Sequence, residues 1–282
     1  MDEATIAAFW QAHPCGDTFV DADFADDYRS FFKEYDRFRY GQEHHILECL
    51  DAIDFQDKRV LEIGLGQGAD SEQIIRRGAI WSGIDLTRES AQRVLTRLKL
   101  NALPHAGVVC GSALSLPFQD ASFDIVFSHG VLHHIPEIEK AQGEIRRILK
   151  PGGELIAMLY AKRSLNYLVA IALVRRLALA AFYAADYAPT AMIAQHLKNA
   201  RAVGLRHYLT LANFIHRNTD GPFNPFSRVY TPALVRQHFR DFELVKSYQR
   251  YMHAPPLPVS RLPLDGILGW HLWVHLRPRL AS

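Results

Sequence analysis

Three closely spaced glycines, Gly64, Gly66 and Gly68, directly follow the short apolar run at residues 60–63. An apolar, β-branched run that ends in glycines predicts a buried strand, followed by a turn in which the backbone can approach a ligand closely. A second apolar run ends in Asp85, about 20 residues further on, which is the spacing at which a carboxylate can bind the hydroxyls of a ribose. Together these residues predict a site for a cofactor that contains a nucleoside.

The charge of Glu62 distinguishes between two such cofactors. Gly64, Gly66 and Ala69 satisfy the loose G-x-G-x-x-A pattern of NAD-binding turns. However, Glu62 lies at the end of the same strand, where its carboxylate would repel the pyrophosphate of a dinucleotide in a cleft of low dielectric constant. S-adenosyl-L-methionine has no phosphate and carries a sulfonium and an ammonium group, so the same carboxylate attracts it. The sequence therefore favours S-adenosyl-L-methionine over NAD.

Four motifs between Lys58 and Tyr160 carry a family resemblance. In chain order they are "VLEIGLGQGAD", "GIDLT", "LPFQDASFDIVFSHGVLHHIP" and "EIRRILKPGGELIAMLY". Their succession resembles the class I S-adenosylmethionine-dependent methyltransferases, and most of all the ubiquinone-biosynthesis-type small-molecule branch. The resemblance implies a doubly wound, mostly parallel, seven-stranded α/β sheet (a Rossmann-like methyltransferase fold), with the last strand inserted antiparallel. It also implies S-adenosyl-L-methionine as cofactor and S-adenosyl-L-homocysteine as product.

The resemblance further implies which residues contact the cofactor. Ser112 stands where related proteins carry an acid that contacts the adenine amine, and its hydroxyl can still accept a hydrogen bond. Tyr40, together with Arg39, is expected to reach the methionine carboxylate, and the carbonyls of Ser128 and His129 are expected to receive the ammonium group. The complete predicted set is Tyr40, Glu62, Gly64, Gly66, Gly68, Asp85, Leu86, Ser112, Ala113, Ser128 and His129.

Two adjacent histidines, His133 and His134, are the candidate catalytic residues, because an imidazole with a pKa of about 6.5 can accept a proton at neutral pH. A base is needed only if the acceptor must lose a proton, as a hydroxyl must. If no base is needed, the enzyme mainly has to align the reacting atoms, and this alignment can lower the activation barrier by about 7–11 kcal/mol. His133 is the first candidate of the two. The alternative is that the pair shapes the loop, since it occurs in relatives that act on very different acceptors. We see no metal-ligand spacing and expect no metal.

The chain divides into four predicted segments. Residues 1–57 are rich in aromatic side chains, with approximate helical spacing from Phe24 onward, and predict helices that either pack on the sheet or form a lid over the ligands. Residues 58–160 form the predicted S-adenosylmethionine-binding core. Residues 161–229 are longer than a strand-to-helix link requires and predict an inserted helical cap. Residues 230–282 then complete the sheet.

The charges of the predicted cap are unbalanced. Its nine basic residues, opposed by Asp186 and Asp220 alone, are Lys162, Arg163, Arg175, Arg176, Lys198, Arg201, Arg206, Arg217 and Arg228. This excess fits either a solvated basic face or attraction for an anionic substrate. With the aromatic N-terminal segment, it predicts a small apolar or aromatic acceptor, with an acidic group as an option. Methylation of oxygen is favoured on its general frequency among similar enzymes, and methylation of nitrogen or carbon stays open.

One apolar stretch, residues 165–184, is nearly long enough to span a bilayer. Arg175 and Arg176 lie at its centre, where each charge costs about 2.5–3.5 kcal/mol on insertion scales. We therefore expect no transmembrane segment. The stretch is predicted to form the core of the cap or a homodimer contact, and docking at a membrane surface is the alternative.

Composition narrows the class of protein further. A length of 282 residues fits one elaborated domain or two, and a net charge of +2 gives no indication of a nucleic-acid partner. Three widely spaced cysteines without a C-x-x-C pair favour a reducing compartment over a disulfide scaffold or a zinc site. The acidic N-terminus lacks signal-peptide features, so a cytoplasmic location is expected.

Three competing functions remain from the sequence. An NAD-dependent oxidoreductase is disfavoured by Glu62 and by the lack of a Tyr-x-x-x-Lys motif. A non-catalytic scaffold or sensor is disfavoured because the glycines, Glu62 and Asp85 are all retained. A methyltransferase acting on a lipid-like substrate at a membrane surface is motivated by residues 165–184.

Overall fold

The computed structural model describes residues 2–14, 16 and 27–279. Seven strands in this part of the chain form one sheet in the order β3-β2-β1-β4-β5-β7-β6. Strand β7 is antiparallel to β5 and β6, and the remaining pairs are parallel. The strands are β1 (Arg59–Ile63), β2 (Ile80–Asp85), β3 (Gly107–Cys110), β4 (Phe123–His129), β5 (Leu149–Tyr160), β6 (Phe242–Arg250) and β7 (His271–Pro278). The predicted doubly wound, mostly parallel sheet is confirmed.

Helices in the described residues cover both faces and one end of this sheet. The longer ones are α1 (Glu3–Ala12), α2 (Tyr28–Gln42), α3 (His45–Asp51), α4 (Ala69–Arg76), α5 (Arg88–Leu100), α6 (Ile138–Ile148), α7 (Arg176–Ala184), α8 (Ala191–Val203) and α12 (Pro232–His238). Four single turns are α9 (Leu205–Tyr208), α10 (Leu211–Phe214), α11 (His216–Thr219) and α13 (Asp265–Leu268). A 3-10 turn spans Leu132–His134, and a π-helical segment, Asn166–Arg175, runs directly into α7.

The order of the strands positions the ligand site. Strand β1 pairs in parallel with β2 on one side and with β4 on the other, with Leu61 opposite both Ser82 and Val126. The chain therefore winds outward in two directions from β1 and β4. Ligands of such sheets bind in the crevice above the carboxyl ends of the strands at this point. Gly64, at the end of β1, and His129, at the end of β4, both lie there.

Two buried clusters hold the helices on the sheet. One packs α6 and α12 against the sheet and includes Ile145 and Val235. The other packs α3, α4 and α5 against the opposite face, around the fully buried side chain of Trp81. Helix α5 begins after Thr87, whose hydroxyl caps the helix by accepting a hydrogen bond from the amide of Ser90.

The N-terminal helix α2 is fastened to the core by a buried cation. Arg97 on α5 is 1% exposed and donates to Glu72 on α4 at 2.9 Å and to Asp36 on α2. Its guanidinium also lies 5.1 Å from the ring centroid of Phe32. Helix α2 thus packs on the core, as one of the two interpretations of this segment expects. Phe24, where the predicted helical pattern starts, lies outside the described residues.

The segment between β5 and α12, for which the sequence predicts an inserted cap, is helical and has its own apolar core. Tyr208 and Phe214 are buried at the centre of this core, and Trp270, just before β7, packs into it. By length and composition alone, the helix Asn166–Ala184 could cross a membrane, and only 17% of its most apolar window is buried. Arg175 turns back onto the protein, where it donates to the carbonyls of Pro255 at 2.6 Å and Asn218 at 2.7 Å.

Candidate active site

A cavity of about 630 Å³ lies above the carboxyl edge of the sheet. Its walls come from α1, α2, the glycine turn after β1, the ends of β2, β4 and β5, and two residues of the cap, Thr219 and Asp220. The predicted core, the predicted lid and the predicted cap therefore all contribute to one site.

The glycine turn forms the floor of this cavity. Gly64 and Gly66 line it with backbone φ angles of +81° and +51°, a region that side chains disfavour. A Cβ atom on Gly64 would come within 2.1 Å of Val131, so the two segments can approach only because position 64 is glycine. Gly68, predicted as a cofactor contact, does not line the cavity. It begins α4 with a φ of +74° and packs against Val94 and Arg97.

Asp85 lines the cavity as predicted, but it has a second role. One carboxylate oxygen accepts from the amide of Leu65 at 2.7 Å, and the other accepts from the amide and hydroxyl of Thr87 at 2.8 Å. A carboxylate has about four lone-pair sites, so Asp85 can still accept from a ligand. It therefore links the glycine turn to the end of β2 and presents a carboxylate to the cavity. Leu86 lies beside it in the wall.

Glu62 reaches the cavity from a buried position. Its carboxyl accepts a hydrogen bond from the indole nitrogen of Trp81 at 2.8 Å. Burial, and secondarily the charge of Asp70, raise the pKa of Glu62 to about 8. The side chain is therefore poised to gain charge when a cationic group binds beside it.

The structure corrects the prediction for Ser112. Its side chain does not belong to the cavity wall, whereas Ala113 and Glu3 do. The hydroxyl of Ser112 accepts from the amide of Leu114 at 2.9 Å and donates to the carboxylate of Glu3 on α1. Glu3 thus brings an acid to the place where the sequence pattern lacks one. The sequence offered no signal for it, because Glu3 is far from the core motifs.

Two other residues predicted as contacts, Ser128 through its backbone carbonyl and Tyr40 through its side chain, do not line the cavity. Ser128 is fully buried and donates to the carbonyl of Ile63 at 3.1 Å. The hydroxyl of Tyr40 lies 3.4 Å from the carboxylate of Asp70, outside the wall. Their neighbours line the cavity instead: His129 follows Ser128, and Arg39 precedes Tyr40.

Asp70 lies among these neighbours and holds them in place. Its carboxylate lies 2.7 Å from the guanidinium of Arg39 and 2.6 Å from Nδ1 of His129. Burial opposes the charge on Asp70, but Arg39 and His129 outweigh it and hold the pKa of this carboxyl below its ordinary value. The orientation of both residues toward the cavity therefore depends on an ionised Asp70.

The two candidate catalytic histidines differ in their surroundings. His133 is fully buried, does not line the cavity, and has no hydrogen-bond partner on either ring nitrogen within the described residues. Its ring centroid lies 3.8 Å from that of Tyr160, and burial, reinforced by His134, holds its pKa well below the ordinary value. His134 does line the cavity. The structure therefore reverses the predicted order of the two histidines.

The hydrogen bonds of His134 define its tautomer. Nδ1 lies 2.7 Å from the carbonyl of Phe226, which can only accept, so Nδ1 carries the proton. Nε2, which carries no proton in the neutral form of this tautomer, lies 3.5 Å from a carboxylate oxygen of Asp220. The indole of Trp10 on α1 packs edge-on against the imidazole, with ring centroids 5.1 Å apart.

Asp220 is a site residue that the sequence did not indicate. One carboxylate oxygen of Asp220 accepts from the hydroxyl of Tyr160 at 2.8 Å. The second oxygen, which faces His134, lies 3.3 Å from the side-chain amide of Asn224. In the sequence analysis, Asp220 was only one of the two acidic residues in the basic cap. A weak signal was present, because Asp220 directly precedes Gly221 and Pro222, a pair that ends helices and forms turns.

The basic residues of the cap do not reach the site. None of the nine lines the cavity. Arg201 pairs with Asp186, Arg217 lies over the ring of Tyr208, and Arg228 lies over the ring of Phe226. The cap charges therefore offer no support for an anionic acceptor.

Known proteins resemble the core of this chain. Residues 61–157 match a family model described as "Methyltransferase domain". This stretch therefore matches a methyltransferase domain, in agreement with the motifs of the sequence. The match agrees with S-adenosylmethionine, the cofactor that Glu62 favours.

Two curated relatives are similar to part of this chain. The chain is 34% identical to a phthiotriol/phenolphthiotriol dimycocerosates methyltransferase of Mycobacterium ulcerans over 106 residues, which are 37% of this chain and 38% of the relative. Over 109 residues, 38% of this chain and 30% of the relative, it is 34% identical to 24-methylenesterol C-methyltransferase 2 of Oryza sativa. Other relatives are named as N- and O-methyltransferases. The chain spans about a third of the length of these relatives.

A solved structure extends the likeness to most of the fold. An S-adenosylmethionine-dependent methyltransferase from Thermotoga maritima superposes with a TM-score of 0.54 and 20% identity, over 91% of this chain and 97% of that one. At this identity the likeness concerns the fold.

Proposed function

We propose that the protein transfers the methyl group of S-adenosylmethionine to an oxygen of a small, uncharged, apolar or aromatic acceptor. The observation that supports the proposal is the position of His134, whose Nδ1 is bound to a carbonyl and whose Nε2 faces Asp220 in the same cavity as the glycine turn. The relatives named for carbon, nitrogen and oxygen transfer do not decide the acceptor atom, so this pair of side chains is the basis for choosing oxygen.

The residues of the methyltransferase domain fit the cofactor. Gly64 and Gly66 would let the cofactor approach the backbone closely, and Asp85 would bind the ribose hydroxyls through its carboxylate. Ala113 and Leu86 would make an apolar contact with the adenine. Glu62 would face the ammonium group, which would draw the proton from its carboxyl. Glu3, held by Ser112, would accept from the adenine amine. The cofactor supplies a methyl group already activated by its sulfonium.

The acceptor would lie between the cofactor and the cap. Trp10, Val131, Ile135, Met158 and Trp270 give this part of the wall an apolar and aromatic surface. Because such a surface excludes water, it favours an apolar acceptor aligned for in-line displacement at the methyl carbon.

His134 and Asp220 would remove the acceptor proton. A hydroxyl bound beside them would donate to Nε2 of the neutral imidazole, whose Nδ1 proton is bound to the carbonyl of Phe226. The oxygen attacks the methyl carbon as its proton passes to Nε2, and the electron pair of the broken carbon–sulfur bond stays on sulfur. The charge that appears on His134 is stabilised by the carboxylate of Asp220, which Tyr160 orients.

A direct experiment separates this proposal from its competitors. Calorimetric titration of the full chain with S-adenosylhomocysteine and with NAD should show binding of S-adenosylhomocysteine alone. Transfer of a labelled methyl group should then be measured on matched phenols, anilines and activated carbon acids. Preference for phenols supports the proposal, preference for anilines or carbon acids overturns the choice of oxygen, and cofactor binding without transfer to any class favours a sensor.

A lipid-like acceptor at a membrane surface is the second candidate. The observation that favours it is the apolar helix Asn166–Ala184, on which Leu168, Leu173 and Leu177 are 50%, 52% and 62% exposed. Co-sedimentation with anionic vesicles tests it, with Leu177→Lys expected to abolish binding and Ile80→Lys, an exposed apolar position in the core sheet, as the control. If light scattering shows a homodimer that Leu177→Lys dissociates, a second copy covers the helix and the membrane proposal fails.

A further inference from the structure

Four histidines gather at the end of the cavity beside β7. They are His45, His129, His253 and His271. Three of them pack against the ring of Tyr251, and His129 packs edge-on against His271. One starts α3, one ends β4, one lies in the loop after β6 and one starts β7. Because they come from four separate parts of the chain, the sequence showed no spacing typical of a metal site.

Three residues in this region could share one ion. Glu43, His129 and His271 each offer one ligand atom, and these atoms all lie within 4.8 Å of one another. All three line the cavity. We propose that Glu43, His129 and His271 bind a divalent first-row transition-metal ion. Two imidazoles and one carboxylate form a ligand set that suits such ions and leaves coordination positions open.

The residues behind this group already orient both imidazoles. Nδ1 of His129 lies 2.6 Å from the carboxylate of Asp70, and Nδ1 of His271 lies 3.1 Å from Nε2 of His45. Each contact occupies one ring nitrogen and leaves the other for a ligand. Metal-binding histidines nearly always have such a partner on the second nitrogen, most often a carboxylate or a carbonyl. The arrangement therefore goes beyond a chance meeting of three side chains.

The local charges allow a divalent cation. Glu43 and Asp70 are two carboxylates beside one cation, Arg39. The guanidinium lies 2.7 Å from Asp70, 3.0 Å from Nδ1 of His129 and 3.7 Å from Glu43. Its close ion pair is with Asp70, and its contact with His129 is on the ring nitrogen that Asp70 also contacts. An ion at Glu43 would leave this pair intact and would replace only the longer contact.

An ion held here would face the cavity and could bind an oxygen of a molecule in it. The inference shares the cavity with the proposed methyl transfer but does not rest on it, because the ligand set and its supporting contacts stand without cofactor or acceptor.

Calorimetric titration of the chelator-treated full chain with Zn²⁺ tests the inference. We expect one ion per chain, and Co²⁺ in its place should give visible absorption bands. Glu43→Gln keeps the shape of the side chain and should weaken Zn²⁺ binding more than about tenfold, since even supporting residues are worth about 10–100-fold. His44→Ala is the matched control, because this neighbouring histidine is exposed and makes no capping hydrogen bond.

Three results would contradict a metal ion at Glu43, His129 and His271. Absence of stoichiometric binding overturns the inference, as does unchanged affinity in Glu43→Gln, which would assign the ion to other histidines. If His44→Ala weakens Zn²⁺ binding as much as Glu43→Gln does, the inference is also overturned. S-adenosylhomocysteine titrated into the same samples reports on the cofactor site, so failure of the metal site and failure of the methyltransferase proposal can be told apart.

Discussion

Nε2 of His134 lies 3.5 Å from the carboxylate of Asp220, although one residue follows β4 and the other lies in the cap. In the neutral form of His134, Nδ1 carries the proton and donates to a carbonyl, so Nε2 and the carboxylate are both acceptors. Two acceptors at this distance need a donor beside them. The hydroxyl of an acceptor molecule meets that need, and this relationship is the basis of the first prediction.

Replacing His134 by Gln should lower kcat by about 10²–10⁴-fold, which is the usual contribution of a general base. Asp220→Asn should have a smaller effect in the same direction, because it removes only the charge that stabilises the imidazolium. Affinity for S-adenosylhomocysteine should not change in either variant. His133→Gln is the control, since His133 does not line the cavity and should not be needed for turnover. A variant of His134 with full activity would assign the proton to another group.

Replacing Asp85 by Asn should affect both cofactor binding and stability. The carboxylate accepts from Leu65 and Thr87 as well as facing the cavity, so its loss should lower the free energy of unfolding by about 1–3 kcal/mol. Thermal unfolding and calorimetry with S-adenosylhomocysteine measure the two effects. Thr87→Ala is the comparison, because it removes a helix cap and one hydrogen bond but keeps the carboxylate. It should lose stability while retaining most of the affinity.

The stability of the protein should depend on pH through Glu62. The pKa of Glu62 is raised to about 8 in the folded state, from an ordinary value of 4.5. The unfolded chain therefore releases this proton at lower pH, and the stabilising effect is complete below pH 4.5 and lost as pH rises through 8. The free energy of unfolding of Glu62→Gln should equal that of the parent protein near pH 5. At pH 9 it should be more stable by about 1 kcal/mol or more, or 2–4 °C in Tm. A difference in Tm that does not vary with pH would contradict the shift.

Replacing Glu3 by Ala should weaken binding of S-adenosylhomocysteine about tenfold, the loss of one charge-assisted hydrogen bond. Ser112→Ala should cause part of this loss, because its hydroxyl holds the carboxylate. The two effects should not add in the double variant, as expected for residues that act as a unit. The analogue with inosine in place of adenosine lacks the amine and should not distinguish Glu3→Ala from the parent. An equal loss with that analogue would show that Glu3 acts elsewhere.

Much of the fold could be predicted because its signals are local. The apolar run before Gly64, the glycine turn and the aspartate that ends β2 lie within one stretch of chain, and each has a conformational reason. The direction of single side chains could not be predicted in this way. Ser128 and His129 are adjacent on a strand, so they point to opposite faces, and only one reaches the cavity. His133 and His134 differ similarly within one tight turn.

The residues that complete the site were beyond local signals altogether. Glu3, Glu43, Asp220 and His271 come from the two ends of the chain and from the cap, and only the folded chain brings them together. Their sequence neighbours carry no motif. In the proposed function, the core binds the cofactor and the outer segments supply residues that face the acceptor.

Helix α1 contacts both halves of the cavity, because Glu3 binds Ser112 at one end and Trp10 packs on His134 at the other. A single helix of ten residues therefore covers the places proposed for cofactor and acceptor. We expect neither molecule to exchange while this helix is seated. The release of α1 from the cavity after each transfer would then limit the rate of turnover. Higher viscosity or a covalent tether on α1 would lower the steady-state rate, but would not change the rate of a single turnover in which both molecules are already bound.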